Sequence, residues 1–308
     1  MSSAVGAKVV TVDQLNIHDF RALVVIGAPR SGTNLLRDIL CNFPGYATWP
    51  CDEINPIWKH GNSGTDTDVL LPEHATSQVS RYIRGCFKRI ARRYDASVVV
   101  EKTCANSLRV PFVDKVLPDA RFIFISRDGY DAAASAMLRW TGSADLLYLL
   151  KKARFVPVTD LPKYGLRFLK ARMRGRASVE GRLGSWGPVW PGMEQLLSEG
   201  RLEEICAAQW SECVRASVAG LETIESQRVY HISYEDLVSD PIKTLGGIKE
   251  FLGDKVTEQE LRRAAVGIRA DSLGKARARL ASEKMRAMRP FIEEGERVLQ
   301  KAGWLTQK

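Results

Sequence analysis

The 308-residue chain has few of the features that mark membrane-spanning, secreted or metal-binding proteins. No stretch approaches ~20 uncharged apolar residues, which excludes a helix long enough to span a bilayer. The six cysteines form no Cys-x-x-Cys pair and the four histidines are scattered, so we expect buried free thiols and no metal site. The first twenty residues lack a basic start followed by an apolar core. We therefore expect no secretory signal and a cytoplasmic location.

Positive charge is abundant and unevenly distributed. The net charge is +9, and residues 151–182 hold ten Lys and Arg against two acids. A second cluster contains no acid: Arg81, Arg84, Lys88, Arg89, Arg92 and Arg93. Such clusters are either solvated helix faces or contacts for an acidic acceptor or an anionic membrane surface. Residues 144–156 have the pattern of either a core helix or an interfacial helix, so peripheral membrane contact stays open. No nucleic-acid-binding motif accompanies the basic runs, and we expect no nucleic-acid partner.

Strand and helix patterns alternate along most of the chain, as a parallel sheet with crossover helices requires. We predict strands near 23–27, 97–102, 121–126 and 228–232, with helices between them. The alternation breaks down at 142–200, a basic stretch with Trp, Gly and Pro. The sequence predicts one α/β domain over 1–308, with helices on both faces of a central parallel sheet. We interpret 142–200 as a mainly helical and loop insertion that caps the substrate.

The most informative segment is the apolar run at residues 23–26, which stops at Gly27 and turns through Pro29-Arg30-Ser31-Gly32. A helical pattern follows from Thr33 and Asn34. Backbone N–H groups at such a strand–loop–helix junction have no partner within the helix, and the helix dipole favours negative charge there. Arg30 adds a forked cation. We predict a phosphate or sulfate site here; an ordinary turn with a solvated arginine is the alternative.

This loop departs from the Walker A pattern in two places. Gly27 and Gly32 have the right spacing, but Thr33 stands at the lysine position and Asn34 at the position of the magnesium-binding hydroxyl. The departures argue against a magnesium-dependent nucleotide triphosphatase. A nucleotide-dependent kinase with a degenerate loop and a non-catalytic nucleotide-binding module remain as alternatives.

Two other predicted strands end in charged residues, Glu101-Lys102-Thr103 and Ser126-Arg127-Asp128. Ligands of doubly wound sheets bind outside the carboxyl ends of the strands, so these segments can border the same crevice as the anion loop. Ser135 lies two helical turns after Arg127 and can share a second anion with it. Two neighbouring anion sites imply a ligand with two separated phosphates. A local Arg127–Asp128 ion pair and a surface hydroxyl are the alternatives.

Together these segments resemble the sulfotransferases that use 3′-phosphoadenosine 5′-phosphosulfate (PAPS), which have a P-loop-type nucleotide-binding fold. In that family a Pro-Arg/Lys-Ser-Gly-Thr loop binds the 5′-phosphosulfate, and a later Arg-Asp-Pro with a serine eight residues on binds the 3′-phosphate. Gly129 and Cys104 stand where the family has proline. The segments that carry the resemblance lie in the family's order: Pro29-Arg30-Ser31-Gly32-Thr33, Glu101-Lys102-Thr103 with Asn106 and Arg109, Arg127-Asp128-Gly129 with Ser135, and Tyr234-Glu235-Asp236-Leu237.

The resemblance implies transfer of a sulfuryl group from PAPS to a hydroxyl or amine, without a metal. It implies that Arg30 and Lys102 act on the transferring group and that Glu53 is the general base, with Asp52 and His60 as rivals. The donor site is implied to comprise Arg30, Ser31, Gly32, Thr33, Asn34, Arg127, Ser135, Tyr234 beside the adenine, and Lys275 in a closing loop. Acceptor contacts are expected from Glu53, His60, Asn106, Trp186 and Trp190, with a small molecule, glycan or lipid as acceptor.

Overall fold

The computed structural model describes residues 20–141, 186–271 and 273–305. Its centre is a five-stranded parallel sheet with the strand order β2-β3-β1-β4-β5. The strands are β1 Arg21–Ile26, β2 Tyr46–Ala47, β3 Val98–Lys102, β4 Arg121–Ser126 and β5 Val229–Ser233. The four predicted strands are confirmed. The sequence does not predict β2, because two residues are too few to show a period.

The register aligns the carboxyl ends of the strands at one edge of the sheet. Val25 of β1 pairs with Lys102 of β3, and Ile26 pairs with Phe124 of β4. Ser126 at the end of β4 pairs with Ser233 at the end of β5. Because β1 lies in the middle, the loop that follows it stands between the segments that follow β3 and β4. This brings the predicted polar segments together.

Helices cover both faces of the sheet, and short turns connect them. The α-helices in the described part of the chain are α1 Thr33–Leu40, α2 Asn55–Trp58, α3 Ser77–Tyr94, α4 Val110–Val116, α5 Gly129–Trp140, α6 Met193–Glu199, α7 Leu202–Leu221, α8 Tyr234–Ser239, α9 Pro241–Leu252, α10 Glu258–Ala264, α11 Lys275–Arg279 and α12 Ser282–Lys301. Single 3₁₀ turns lie at Pro72–His74, Cys104–Leu108 and Ser226–Arg228. Among these helices, none is long and apolar enough to cross a membrane.

Two apolar layers hold the helices to the sheet. Alternate β1 residues point to opposite faces, as the pleat requires. Val24 and Ile26 join the layer beneath α3, α4, α5, α7 and α12. Leu23 and Val25 join the layer beneath α1, α8, α9 and α10. The predicted three-layer α/β/α architecture is confirmed.

Several predicted boundaries move for identifiable reasons. The helix predicted from about 107 divides into the 3₁₀ turn and α4, with Arg109 in a non-helical conformation between them and Pro111 in the first turn of α4. Helix α3 begins at Ser77 because Thr76 caps it, accepting from the Val79 N–H at 3.3 Å. All six cysteines are free thiols, as predicted, but only four are buried, since Cys41 and Cys51 are partly exposed. Most of the expected cap, residues 142–185, lies outside the described residues, and its role stays a prediction.

Candidate active site

The anion loop has the backbone of a ligand cradle. Arg30 has φ of 69° and Gly32 has φ of 88°, both in the left-handed region, which is uncommon for an arginine. Gly32 is also the N-cap of α1, and among the described residues no side chain caps that helix end. The N–H groups of the first turn of α1 are therefore left for a ligand.

Ser31 gives the clearest indication that the loop can bind a ligand. Its side chain is buried, and its Oγ has no hydrogen-bond partner among the described residues. Buried polar atoms without a partner are rare, because leaving one unsatisfied costs roughly 1–3 kcal/mol. Thr33 and Asn34 follow on the first turn of α1, and the Thr33 hydroxyl lies 3.8 Å from the Cys104 thiol. This donor-rich pocket fits an anionic phosphate or sulfate group.

The second predicted anion site adjoins the first. Arg127 donates from Nη1 to the carbonyl oxygen of Arg30 at 2.8 Å. Arg30 in turn donates from Nε to Ser135 Oγ at 3.0 Å. The structure thus brings Arg30, Arg127 and Ser135 into one cluster, with Ser135 bonded to Arg30.

The turn after β4 is held by its neighbours. The carboxylate of Asp128 caps α5 by accepting the Asp131 N–H at 3.0 Å. The Asp128 N–H donates to Glu235 Oε1 at 3.0 Å, and burial raises the pKa of Glu235. The guanidinium carbon of Arg127 lies 4.2 Å from the centre of the Tyr234 ring. The first two residues of α8 therefore fix the turn that carries Arg127.

The start of α11, which carries Lys275, is attached to α5 through Asp131. The buried Asp131 carboxylate accepts the N–H groups of Gly274 and Ala276, each at 2.7 Å. These bonds attach the start of α11 to the first turn of α5, and Lys275 lies exposed between them.

Positive charge concentrates around the loop. Burial lowers the pKa of Arg30, and the charges of Arg139 and Arg127 lower it further. Arg139 lies one turn after Ser135 on α5, so its charge adds to the same side of the helix. The result is a strongly electropositive pocket, which favours an anion that carries more than one charge.

Glu53 and Lys102 form an ion pair beside this pocket. Lys102 Nζ lies 2.9 Å from Glu53 Oε1, which also accepts the Cys104 N–H at 3.3 Å. Burial acts to lower the pKa of Lys102, but the adjacent Glu53 carboxylate opposes burial and the pKa is raised. Burial raises the pKa of the Cys104 thiol to about 11. The site thus presents a charged ammonium group and a neutral thiol.

The segment that carries Glu53 is anchored on both sides. Arg37 of α1 is buried and donates from Nη1 to the Asp52 carbonyl at 3.1 Å. The Ile54 N–H donates to Thr103 Oγ1 at 3.1 Å. The helix that follows the anion loop and the segment that follows β3 therefore hold Glu53 between them.

Asn106 belongs to a buried polar network behind Lys102. Its amide donates to Glu101 Oε2 at 2.7 Å and accepts from Arg109 Nε at 2.8 Å. Arg109 also donates to Asn55 Oδ1 at 2.6 Å, and Asn55 donates to Asp68 Oδ1 at 3.0 Å. Burial raises the pKa of Glu101. Through Arg109 and Asn55, Asn106 therefore supports the segment that carries Glu53.

The other expected acceptor residues pack against other parts of the described chain. The His60 ring lies 3.9 Å from the Tyr82 ring. Asp68 exchanges two bonds with Val189, at 2.7 and 3.0 Å, and so brings 186–190 to the segment after α2. Trp186 and Trp190 are partly buried against the apolar core. The structure does not bring these tryptophans into the Glu53–Lys102 pair.

Some residues of the site were missed in the sequence analysis. The sequence does indicate Arg139, since it follows Ser135 by one helical turn on a predicted helix. It gives no such indication for Arg37 and Asp131, because each acts through a contact with a distant segment. Glu235 stands in a segment that carries the resemblance, but it is assigned no role in the sequence analysis.

Comparisons with known proteins bear on the family and the fold of the chain. A model of the sulfotransferase family matches residues 22–164 and 190–258, more than half of the chain. The sulfotransferase domain from the curacin biosynthetic pathway is 15% identical, with a TM-score of 0.51 over 94% of this chain and 99% of that one. The sulfotransferase domain of the Synechococcus PCC 7002 olefin synthase is 17% identical, with a TM-score of 0.49 over 89% and 95%.

A third solved structure, mouse sulfotransferase SULT7A1 complexed with PAP, is 15% identical with a TM-score of 0.46 over 93% of this chain and 90% of that one. A search of curated protein sequences gave no match. At these identities the likeness to the curacin domain shows the fold alone. The match to the family model goes further, and on it the chain belongs to the sulfotransferase family.

Proposed function

We propose that this sulfotransferase takes its sulfuryl group from PAPS and transfers it to a hydroxyl or amine of an acceptor. One observation carries the proposal: the predicted anion sites around Arg30 and Arg127 form a single cluster, linked by the 2.8 Å bond from Arg127 to the Arg30 carbonyl. A nucleotide with phosphates on both its 5′ and 3′ positions suits two adjoining anion sites.

Each part of the cluster has a proposed role in donor binding. The loop N–H groups, with Arg30, Ser31, Gly32, Thr33 and Asn34, hold the 5′ end. Arg127 and Ser135 hold the 3′-phosphate, and Tyr234 borders that site. Lys275 closes on it from the start of α11, whose backbone is attached to Asp131. PAPS supplies the sulfuryl group, and the desulfated product is 3′-phosphoadenosine 5′-phosphate (PAP).

The chain's own residues contribute charge and position to the transfer. Arg30, Lys102 and the loop N–H groups stabilise the negative charge that grows during an in-line displacement. They are already in place before reaction, because Arg30 is bonded to Ser135 and Lys102 to Glu53. Fixed hydrogen-bond donors of this kind lower the activation barrier because they need no reorganisation during the reaction. We propose that the site needs no metal, so EDTA should leave the transfer rate unchanged.

Glu53 is the proposed general base. Its carboxylate side chain is 23% exposed and pairs with Lys102 at 2.9 Å. Glu53 can therefore contact the acceptor while Lys102 contacts the sulfuryl group. A base within hydrogen-bond reach of the acceptor hydroxyl takes its proton as the new bond forms. Asp52 is the weaker candidate, because its side chain is about half exposed and Arg37 contacts both its carboxylate, at 3.8 Å, and its carbonyl, at 3.1 Å. His60 packs on Tyr82.

The acceptor is proposed to be a small molecule, glycan or lipid that enters past His60, Trp186 and Trp190. A cytoplasmic location, with peripheral membrane contact as an alternative, is part of the same proposal. Labelled sulfuryl donor, presented with a panel of sugars, lipids and phenols, identifies the acceptor class.

Ligand-dependent melting tests the donor. PAP at 100 times its dissociation constant should stabilise the folded chain by about 2.7 kcal/mol, while magnesium ATP should not. Stabilisation by magnesium ATP and not by PAP would favour the kinase alternative. If PAP stabilises the chain but no acceptor in the panel becomes labelled, the result would favour the non-catalytic nucleotide-binding module.

A further inference from the structure

Asp131 is a buried carboxylate whose two oxygens both accept hydrogen bonds from one distant segment of backbone. It lies in the first turn of α5. Its Oδ2 accepts the N–H of Gly274 and its Oδ1 accepts the N–H of Ala276, each at 2.7 Å. Hydrogen bonds to an ionised carboxylate are short and strong, and a buried carboxylate needs them because an unpaired buried charge is costly. The contact therefore attaches the start of α11 firmly to α5.

The attached segment carries Lys275 between its two bonded N–H groups. Gly274, the residue before α11, has φ of 66°, in the left-handed region that glycine adopts readily. Ala276 is buried in the apolar core, whereas Lys275 is exposed. Because the backbone is held on both sides of Lys275, the direction in which its side chain leaves α11 is fixed as well.

Asp131 stands on the same face of α5 as Ser135. Residues four apart in a helix are neighbours on its surface, with about 5–6 Å between their Cβ atoms. Ser135 accepts from Arg30 at 3.0 Å, and Arg127, four residues before Asp131, donates to the Arg30 carbonyl at 2.8 Å. The start of α11 is therefore attached one helical turn from the side chains that are proposed to hold the 3′-phosphate.

We infer that Asp131 is a positioning residue for the 3′-phosphate site: it acts through the backbone of α11, which it holds so that Lys275 can contact the phosphate. The two N–H groups that Asp131 accepts offset its negative charge, so the carboxylate is compatible with a phosphate nearby. The inference rests on the proposed donor, because it assigns the 3′-phosphate to Arg127, Ser135 and Lys275. The alternative is a purely structural bond between α5 and α11.

Two nucleotides separate these roles. PAP and adenosine 5′-phosphate share the adenine, the ribose and the 5′-phosphate, and only PAP carries the 3′-phosphate. Lys275→Ala should weaken PAP binding by about 5- to 20-fold, because a charged partner of the phosphate is lost. Asp131→Asn keeps the shape of the side chain but only one of its two acceptor oxygens, and it should weaken PAP binding by about 3- to 10-fold. Neither variant should change the binding of adenosine 5′-phosphate more than twofold.

The double variant shows whether Asp131 acts through Lys275. If it does, Asp131→Asn should weaken PAP binding no further, within twofold, once Lys275→Ala is present, whereas independent residues give additive losses. Calorimetric titration reports binding, and melting without ligand reports folding. Should Asp131→Asn fail to fold, Asp131→Ser, which keeps one acceptor oxygen, is measured in its place. Lys275→Ala removes an exposed side chain and should fold in either case.

Asp114→Asn is the matched control. The Asp114 carboxylate lies 2.6 Å from Arg228, the residue before β5 begins, at the edge of the sheet opposite the anion loop. The same change from carboxylate to amide should there leave both affinities unchanged.

The outcomes separate the inference from the proposed donor. An equal loss for both nucleotides in the Asp131 variant would make the bond purely structural and overturn the inference. Additive losses in the double variant, or PAP binding that withstands either single change, would also overturn it. A native chain that binds adenosine 5′-phosphate as tightly as PAP, or binds neither, would instead overturn the proposed donor.

Discussion

Arg30 combines three properties that residues seldom share. Its backbone is left-handed, its side chain donates to Ser135, and its carbonyl accepts from Arg127. A left-handed non-glycine residue costs free energy and persists only where its surroundings fix it, often at a functional site. Here the contacts with Ser135 and Arg127 provide that fixation, so the loop is already shaped for an anion.

Loss of the Arg30 side chain should therefore affect transfer strongly. We expect Arg30→Ala to lower the transfer rate by about 10²- to 10³-fold, because a preorganised donor to the developing charge is removed. Steady-state kinetics with labelled donor measures the effect. Arg262→Ala, which removes an exposed arginine paired with Glu258 on α10, is the control. A rate for Arg30→Ala near that of the native chain would contradict its assigned role.

Glu53→Gln separates proton transfer from donor binding. The amide keeps the shape of the carboxylate and can still accept from Cys104 N–H, but it cannot take a proton. The transfer rate should fall by about 10²- to 10⁴-fold, while the affinity for PAP stays within twofold. Asp52→Asn should leave the rate nearly unchanged. If Asp52→Asn loses the activity and Glu53→Gln keeps it, the base is Asp52.

At the scale of elements, α1 connects the two halves of the site. Its first turn closes the anion loop, and Arg37 one turn later holds the carbonyl of Asp52 at 3.1 Å. The anion loop and the segment that carries Glu53 are therefore attached to one eight-residue helix. A small shift of this segment can cost up to ~10²-fold in rate, because transfer depends on alignment.

Arg37→Ala should consequently lower the turnover number by about 10- to 100-fold and change the affinity for PAP less than twofold. Arg262→Ala, which removes the exposed arginine paired with Glu258 on α10, is again the control. Kinetics at saturating donor and calorimetry with PAP give the two readouts. Equal losses in turnover and donor affinity would mean that Arg37 acts on the loop and not on Glu53.

Strand β5 carries a histidine that makes stability depend on pH. His231 shares a 2.8 Å hydrogen bond with Ser126 and stacks on Trp304 with ring centres 5.2 Å apart. Burial lowers its pKa to about 4, against an ordinary value of 6.5, although Asp236 opposes the shift. Below pH 6.5 the unfolded chain binds a proton at this histidine, whereas the folded chain binds it only near pH 4. The loss of stability through this group therefore builds up between these two pH values and levels off below pH 4.

The free energy of unfolding should therefore fall by about 3 kcal/mol between pH 6.5 and pH 4 through this group alone. His231→Gln should remove that part of the acid dependence while lowering stability at pH 7, where the stacking on Trp304 is lost. Urea unfolding at a series of pH values measures both effects. If the free energy of unfolding of His231→Gln falls between pH 6.5 and pH 4 as much as that of the native chain, His231 is not the titrating group.

At the scale of the whole molecule, local patterns predicted the layers and the order of the polar segments. Apolar runs were enough to predict four strands, and the charged residues that follow three of them predicted the edge where Arg30, Lys102 and Arg127 meet. Contacts between distant segments were not predictable, because nothing in the periodicity near Asp131 or Asp68 indicates that one holds α11 and the other holds Val189. Asn106 was predicted for the acceptor, yet its burial with Glu101 and Arg109 depends on the three-dimensional arrangement.

The central claim is that two adjoining anion sites hold the two ends of one nucleotide. A crystal structure of the chain with PAP tests it most directly. We predict the 5′-phosphate on the N–H groups of residues 30–34 and the 3′-phosphate within hydrogen-bond distance of Arg127 and Ser135. PAP bound at another edge of the sheet, or a 3′-phosphate directed into solvent away from Arg127, would contradict the account.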